Sequence, residues 1–189
     1  MARRSLSGKE VLRLFPQLGM VSRKDWVEKA QRIWMEVWSS SKWPKLEKAP
    51  ASLRTPRASL VNHTRAVLQG ALSIAEARAR VYGEKVDRDI LIIAAVIHDV
   101  SKLVEYEPFR GKGRLSRLGE AYQHGFYAAY RALVHDLPPE IVHIVLSHTT
   151  QTKSVPRSKE GLVLYYADMA DADLNRHREN APSLLGEHK

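Results

Sequence analysis

A chain of 189 residues with 44% hydrophobic content is long enough to bury a real core, and its length suits one compact domain with a small appendage. Cysteine is absent, which excludes disulfides, thiolate nucleophiles and Cys-ligated zinc and suits a cytoplasmic protein; no apolar run is long enough to span a bilayer, and the opening M-A-R-R-S leads into no apolar signal segment. The formal net charge of +9 is an N-terminal property: residues 1–57 carry 13 Lys/Arg against 5 Asp/Glu, whereas residues 58–189 carry 17 against 16. Such an excess suits a solvated basic surface first, and nucleic acid, an anionic substrate or an acidic partner second.

In chain order, Glu10 to Phe15 forms a short helix stopped by Pro16. A second helix is capped by Ser22, with Asp25 three residues on, and aligns Trp26, Ala30, Ile33, Trp34, Val37 and Trp38 on one face. That stripe reads as packing, with base stacking as the weaker alternative. Residues 39–59 are rich in Ser, Pro and Lys and read as a connector. The domain division is therefore a basic helical appendage with its linker at 1–58 and a core at 59–189.

From Ser59 the pattern is helical almost to the end. Leu60 to Tyr82 forms a long helix closed by Gly83, and Asp87 starts a helix whose run Ile90–Ile97 is wholly apolar and ends in His98–Asp99. A mobile loop from Val104 to Leu118 holds Arg110, Lys112, Arg114 and Arg117 between glycines. One helix spans Gly119 to Val134, another opens at Pro138–Pro139 and ends near His148, and the last runs from about Glu160 to about Arg176. Beyond it, His177 and His188 lie in a polar tail. Strand signals are poor, so the fold class is all-α.

The apolar run poses the chemical question. A carboxylate buried beside His98 demands a positive partner, and no Lys or Arg lies in the run itself, so a metal ion is the first hypothesis for Asp99. His63, His124, His148 and Asp168 likewise sit beside residues that should be buried. One buried His is commonly a satisfied core residue; six ionisable groups in this order, on successive helices or helix ends, are not.

The order H…HD…H…H…D resembles the HD-domain superfamily of metal-dependent phosphohydrolases. His63 (N-H-T-R-A-V), His98–Asp99 (H-D-V-S-K) and Asp168 (Y-A-D-M-A-D-A) match the basic motif, and His124 (Q-H-G) and His148 (L-S-H) resemble the subset that binds two metals. The resemblance covers residues 59–176 and implies an HD-type helical bundle. It further implies that His63, His98, Asp99 and Asp168 bind one metal, and that Asp99 bridges to a second held also by His124 and His148. Imidazole with carboxylate suits Mn, Fe, Co, Ni or Zn. Two such ions about 3.5–4 Å apart would activate a bridging hydroxide for in-line attack on phosphorus.

By the same resemblance, Asp99 and Lys102 are the catalytic candidates. Lys102, four residues after His98, is also the first candidate to meet phosphoryl oxygens, with Arg110, Lys112 and Arg114 as an anion-catching lid. Asp171, one turn after Asp168, is placed to hydrogen-bond a ligating histidine. The function implied is hydrolysis of a small anionic phosphomonoester or phosphodiester, a nucleotide included. The alternatives are an HD-type mixed-valent diiron oxygenase, which uses the same ligands, and an RNA-binding protein working through residues 1–57.

Overall fold

The computed structural model describes residues 5–186, so His188 and the N-terminal Arg3 and Arg4 lie outside the described residues. α1 (Gly8–Leu14) starts in a capping box, with Ser7 accepting from the Glu10 amide and the Glu10 carboxylate accepting from the Ser7 amide; it stops before a 3-10 turn at Pro16–Met20. α2 (Lys24–Ser40) begins one residue after Arg23, which contributes no side-chain cap. Ser22 is therefore not the cap expected of it. Its amide donates instead to the buried carboxylate of Asp89, at 3.0 Å, and Arg23 follows suit at 3.2 Å. A long-range carboxylate has displaced the local cap.

The expected connector holds a two-stranded hairpin, β1 (Pro50–Ser52) and β2 (Thr55–Ser59), and Ser59 then caps α3 (Leu60–Tyr82) through the Asn62 amide. Gly83, at φ +67°, ends α3 in the left-handed region that favours glycine. α4 (Arg88–Ile97) is capped by the Asp87 carboxylate, which accepts from the amides of Asp89 and Ile90. After a tight turn through His98 and Asp99 come the short α5 (Lys102–Glu105) and a second hairpin, β3 (Tyr106–Phe109) and β4 (Lys112–Leu115). This corrects the loop expected there. The two turn residues, Arg110 at φ +48° and Gly111 at φ +78°, take the left-handed pair that matches strand twist.

The single helix expected over 119–134 is two: α6 (Arg117–Ala121) and α7 (Phe126–Val134). Gly125, at φ +89°, breaks the run, and His124 sits in the break. α8 (Pro139–Ser147) delivers His148 just past its end, and α9 (Lys159–Arg178), capped by Ser158, carries Asp168 mid-length.

The fold is all-α but for those hairpins. α4 is its axis: every residue from Leu91 to Ile97 is fully buried, and α2, α3, α8 and α9 pack around it. The segment before the first hairpin contributes Val11, Phe15, Leu18, Ile33 and Trp34 to this same continuous core. Trp34 is fully buried and donates its indole N–H to Val96 O at 2.9 Å, so the tryptophan stripe is packing with its polar atom satisfied. Among the described residues no helix is long and apolar enough to cross a membrane.

Candidate metal centre

Four histidines and two aspartates reach one point at the end of α4. Among the described residues, His63, His98, Asp99 and Asp168 place one ligand atom each within 4.8 Å of one another, and Asp99, His124 and His148 do the same. Asp99 belongs to both groups. His63 comes from the first turn of α3, His98 and Asp99 from the turn after α4, His124 from the α6–α7 break, His148 from the end of α8 and Asp168 from α9.

The rings are held by their outer nitrogens. His98 Nδ1 donates to Ala95 O at 2.7 Å and His148 Nδ1 to Val145 O at 2.5 Å, each three residues back. His63 Nδ1 meets Asp171 Oδ2 at 2.6 Å, and His124 Nδ1 meets Glu105 Oε2 at 2.8 Å. All four Nε2 atoms are thereby turned on the carboxylates: His63 lies 3.0 Å from Asp99 and 3.1 Å from Asp168, His98 3.5 Å from Asp99, His124 2.9 Å and His148 3.4 Å from Asp99.

These inner atoms test whether the site suits metal. Among the described residues, His63 Nε2, His98 Nε2 and Asp99 Oδ1 are buried without a contact of hydrogen-bond geometry, a costly state unless something else meets them. His148 Nε2 also faces His124 Nε2 at 3.3 Å. A mixed imidazole and carboxylate set with unsatisfied inward lone pairs fits divalent transition metal ions.

The protonation states show what such ions would displace. Burial opposes a charge on Asp99, but Lys102 above all holds its carboxyl well below the usual range; the Nζ–Oδ2 distance is 2.5 Å. Burial likewise opposes ionisation of Asp168, which His63 draws down to about 2. Burial works against a proton on His63, yet Asp168, Asp171 and Asp99 raise its pKa well above the ordinary value. On His124 burial is overcome by Glu105 and Asp99, to about 9, whereas on His98 burial wins and the pKa falls to about 4. Without metal the positive partners of these carboxylates are Lys102 and protonated His63 and His124.

Metal affinity is therefore expected to rise with pH. A proton held on His124 up to about pH 9 must leave when Nε2 takes a metal, so each displaced proton should tighten binding about tenfold per pH unit below that value. Titration calorimetry with Mn²⁺ at pH 6, 7 and 8 checks this. A flat affinity would show that these imidazoles are not ligands.

A cleft of about 100 Å³ opens onto His63, His124, Asp168 and Lys102, with Tyr106 in its wall. Burial pushes the Tyr106 phenol up to about 12, so its hydroxyl stays a donor at neutral pH. The expected lid is elsewhere. Arg114 is paired with Glu107 across β3–β4, and Arg110, Lys112 and Arg114 do not line this cleft. The first hairpin does, through Ser52 and Thr55.

Sequence reasoning missed Glu105 and Tyr106. Glu105 is a buried carboxylate beside the apolar pair Leu103–Val104, a visible signal, but its partner His124 lies nineteen residues on and only the fold joins them. Asp171 takes the position expected of it, on His63 Nδ1.

Comparison with known proteins places the chain. A dihydroneopterin 2′,3′-cyclic phosphate phosphodiesterase from Methanocaldococcus jannaschii is 32% identical over 136 residues, covering 69% of this chain and 54% of that protein; the chain thus spans about half the length of this curated relative. No solved structure gives a significant match. The HD domain model matches residues 60–173, from the start of α3 to within α9. With H…HD…D set at one buried point and most of the chain covered, the protein belongs to the HD-domain family.

Proposed function

We propose that the protein is a metal-dependent phosphohydrolase that opens a small cyclic phosphodiester. The observation that carries this reading is the shared carboxylate: Asp99 is buried between two groups of inward-facing imidazoles, and its own Oδ1 and the Nε2 atoms of His63 and His98 have no hydrogen-bond partner among the described residues. His63, His98, Asp99 and Asp168 would hold one divalent ion, and Asp99, His124 and His148 a second. Bound ions would activate water and neutralise phosphoryl charge. The chain's own groups do the rest. Asp171, Glu105 and the two backbone carbonyls fix the imidazoles so that little reorganisation is needed. Lys102 faces the cleft and would meet an equatorial phosphoryl oxygen once metal neutralises Asp99. Tyr106 offers a second donor.

The cyclic diester is supported by the phosphodiesterase relative. It also suits a cleft of about 100 Å³, against about 300–1,000 Å³ for a site enclosing a whole drug-sized ligand. Such a cleft takes the phosphoryl group and leaves the organic part outside.

The test is a panel of 2′,3′-cyclic nucleotides, dihydroneopterin 2′,3′-cyclic phosphate and simple monoesters, offered to chelated protein and to protein reloaded with Mn²⁺, Fe²⁺, Co²⁺, Ni²⁺ or Zn²⁺, with and without oxygen. Reloaded protein is expected to convert cyclic diester to monoester in either atmosphere, and chelated protein to lose the activity. Turnover that consumes O₂ would replace this reading with the oxygenase.

A further inference from the structure

A larger groove, of about 440 Å³, is lined by Tyr122, Gln123, Phe126, Leu146, Thr152 and Lys153. Two loops contribute to both this groove and the cleft. Residues 122–125 turn Tyr122 and Gln123 to the groove and His124 to the cleft. Residues 149–154 give Thr149, Thr150 and Gln151 to the cleft and Thr152, Lys153 and Ser154 to the groove. The aromatic pair is unusual for a surface. Tyr122 is 53% and Phe126 44% exposed, yet their rings stack almost parallel, 11° apart with centroids at 5.1 Å. Parallel exposed rings offer a face on which a third planar ring can extend the stack. Gln123 places an amide in the lining, suited to the polar edge of a heterocycle; the Thr152 hydroxyl donates to Leu146 O at 3.0 Å and is left as an acceptor, and Lys153 adds a cation.

We propose that this groove is a subsite for the planar heteroaromatic ring of the substrate, with Tyr122 and Phe126 as its stacking platform. The inference rests on the phosphohydrolase reading and narrows it. The cleft at the metal centre, at about 100 Å³, is the smaller space and is lined by the candidate metal ligands, whereas the groove of about 440 Å³ shares its two loops and offers the aromatic face. The preferred substrates then join a phosphoryl group to a purine-like or pterin-like ring through a short sugar or polyol.

The experiment compares wild type with Tyr122→Ala, Phe126→Ala and Tyr122→Phe on two cyclic diesters: 2′,3′-cyclic AMP, which has a ring, and glycerol 1,2-cyclic phosphate, which has none. Both alanine variants are expected to raise KM for cyclic AMP about 5- to 150-fold with kcat little changed. They should leave kcat/KM for the glycerol ester within about twofold, and Tyr122→Phe should behave as wild type. Unchanged KM for cyclic AMP, or an equal loss on both esters, overturns the subsite; the latter would mean that the substitutions act by shifting His124. If wild type turns over neither ester, the hydrolase reading is judged on the wider panel above, and equilibrium binding of neopterin, followed by its fluorescence, decides the subsite. Binding that Tyr122→Ala weakens upholds it; no binding, or binding indifferent to the substitution, overturns it.

Discussion

Asp99→Asn is expected to abolish tight metal binding at both positions and to lower kcat/KM by more than about 100-fold, the upper figure for losing a mere outer partner of a ligand. The side chain is fully buried, and its two oxygens serve different neighbours: Oδ2 faces His63 and Lys102, Oδ1 faces His124 and His148. An amide keeps the shape but presents only one good acceptor and no charge. It also strands the Lys102 ammonium, and breaking such a buried pair costs about 3–5 kcal/mol, so a poorly folded variant would imitate a metal-free one. Asp99→Asn/Lys102→Met removes the stranded charge and should recover much of that stability, as followed by urea unfolding, without recovering metal. Elemental analysis of both proteins is the decisive measurement. Two tightly retained ions in either would show that Asp99 is not the shared ligand.

The carboxylate's charge has a further consequence for the metal-free protein. The folded-state pKa of Asp99 is depressed, so its pairing with Lys102 contributes stability above the ordinary carboxylate range and is lost as pH falls through the depressed value. Acid should therefore weaken metal-free protein by loss of this pair, and metal-loaded protein by protons competing for the same ligands.

What could be read from the sequence was whatever a helix makes periodic or a cap makes local. α3 runs from Leu60 to Tyr82 and stops at Gly83 as expected, because its apolar period and its closing glycine are both local signals. The clustering of the six candidate residues was legible for a related reason: each ionisable group follows or interrupts an apolar run, and the runs are the walls of the core. The hairpins were not. The turn of β1–β2 is Leu53–Arg54, without glycine or asparagine, and its strands are held between the core and α9 rather than by their own pattern. β3–β4 depends on Arg110 accepting a positive φ and on Glu107 facing Arg114 and Lys42, a buried carboxylate with two cations that no local window contains. The same blindness made Arg114 look like a lid residue. A cation near glycines in sequence was in fact committed to a cross-strand partner.

Lys102→Met should leave metal in place and lower kcat about 10²–10³-fold, the range for removing one donor that meets charge developing in a transition state. The ammonium now sits 2.5 Å from Asp99 and is only 12% exposed, and burial, which would strip its proton, is outweighed by Asp99, Tyr106 and Asp168, so its pKa is raised and it stays charged throughout the neutral range. It therefore competes with metal for Asp99. Removing it should leave metal affinity unchanged or tighter, the opposite of what loss of a ligand would do. Methionine keeps the length and apolar stem, so packing against the cleft wall survives. The pattern to look for is full metal occupancy, a KM within a fewfold of wild type and a collapsed kcat. Unchanged kcat would take Lys102 out of the mechanism and leave it only as the counter-charge of Asp99; lost metal would make it a structural support of Asp99. The two roles separate because the first is read in turnover and the second in occupancy.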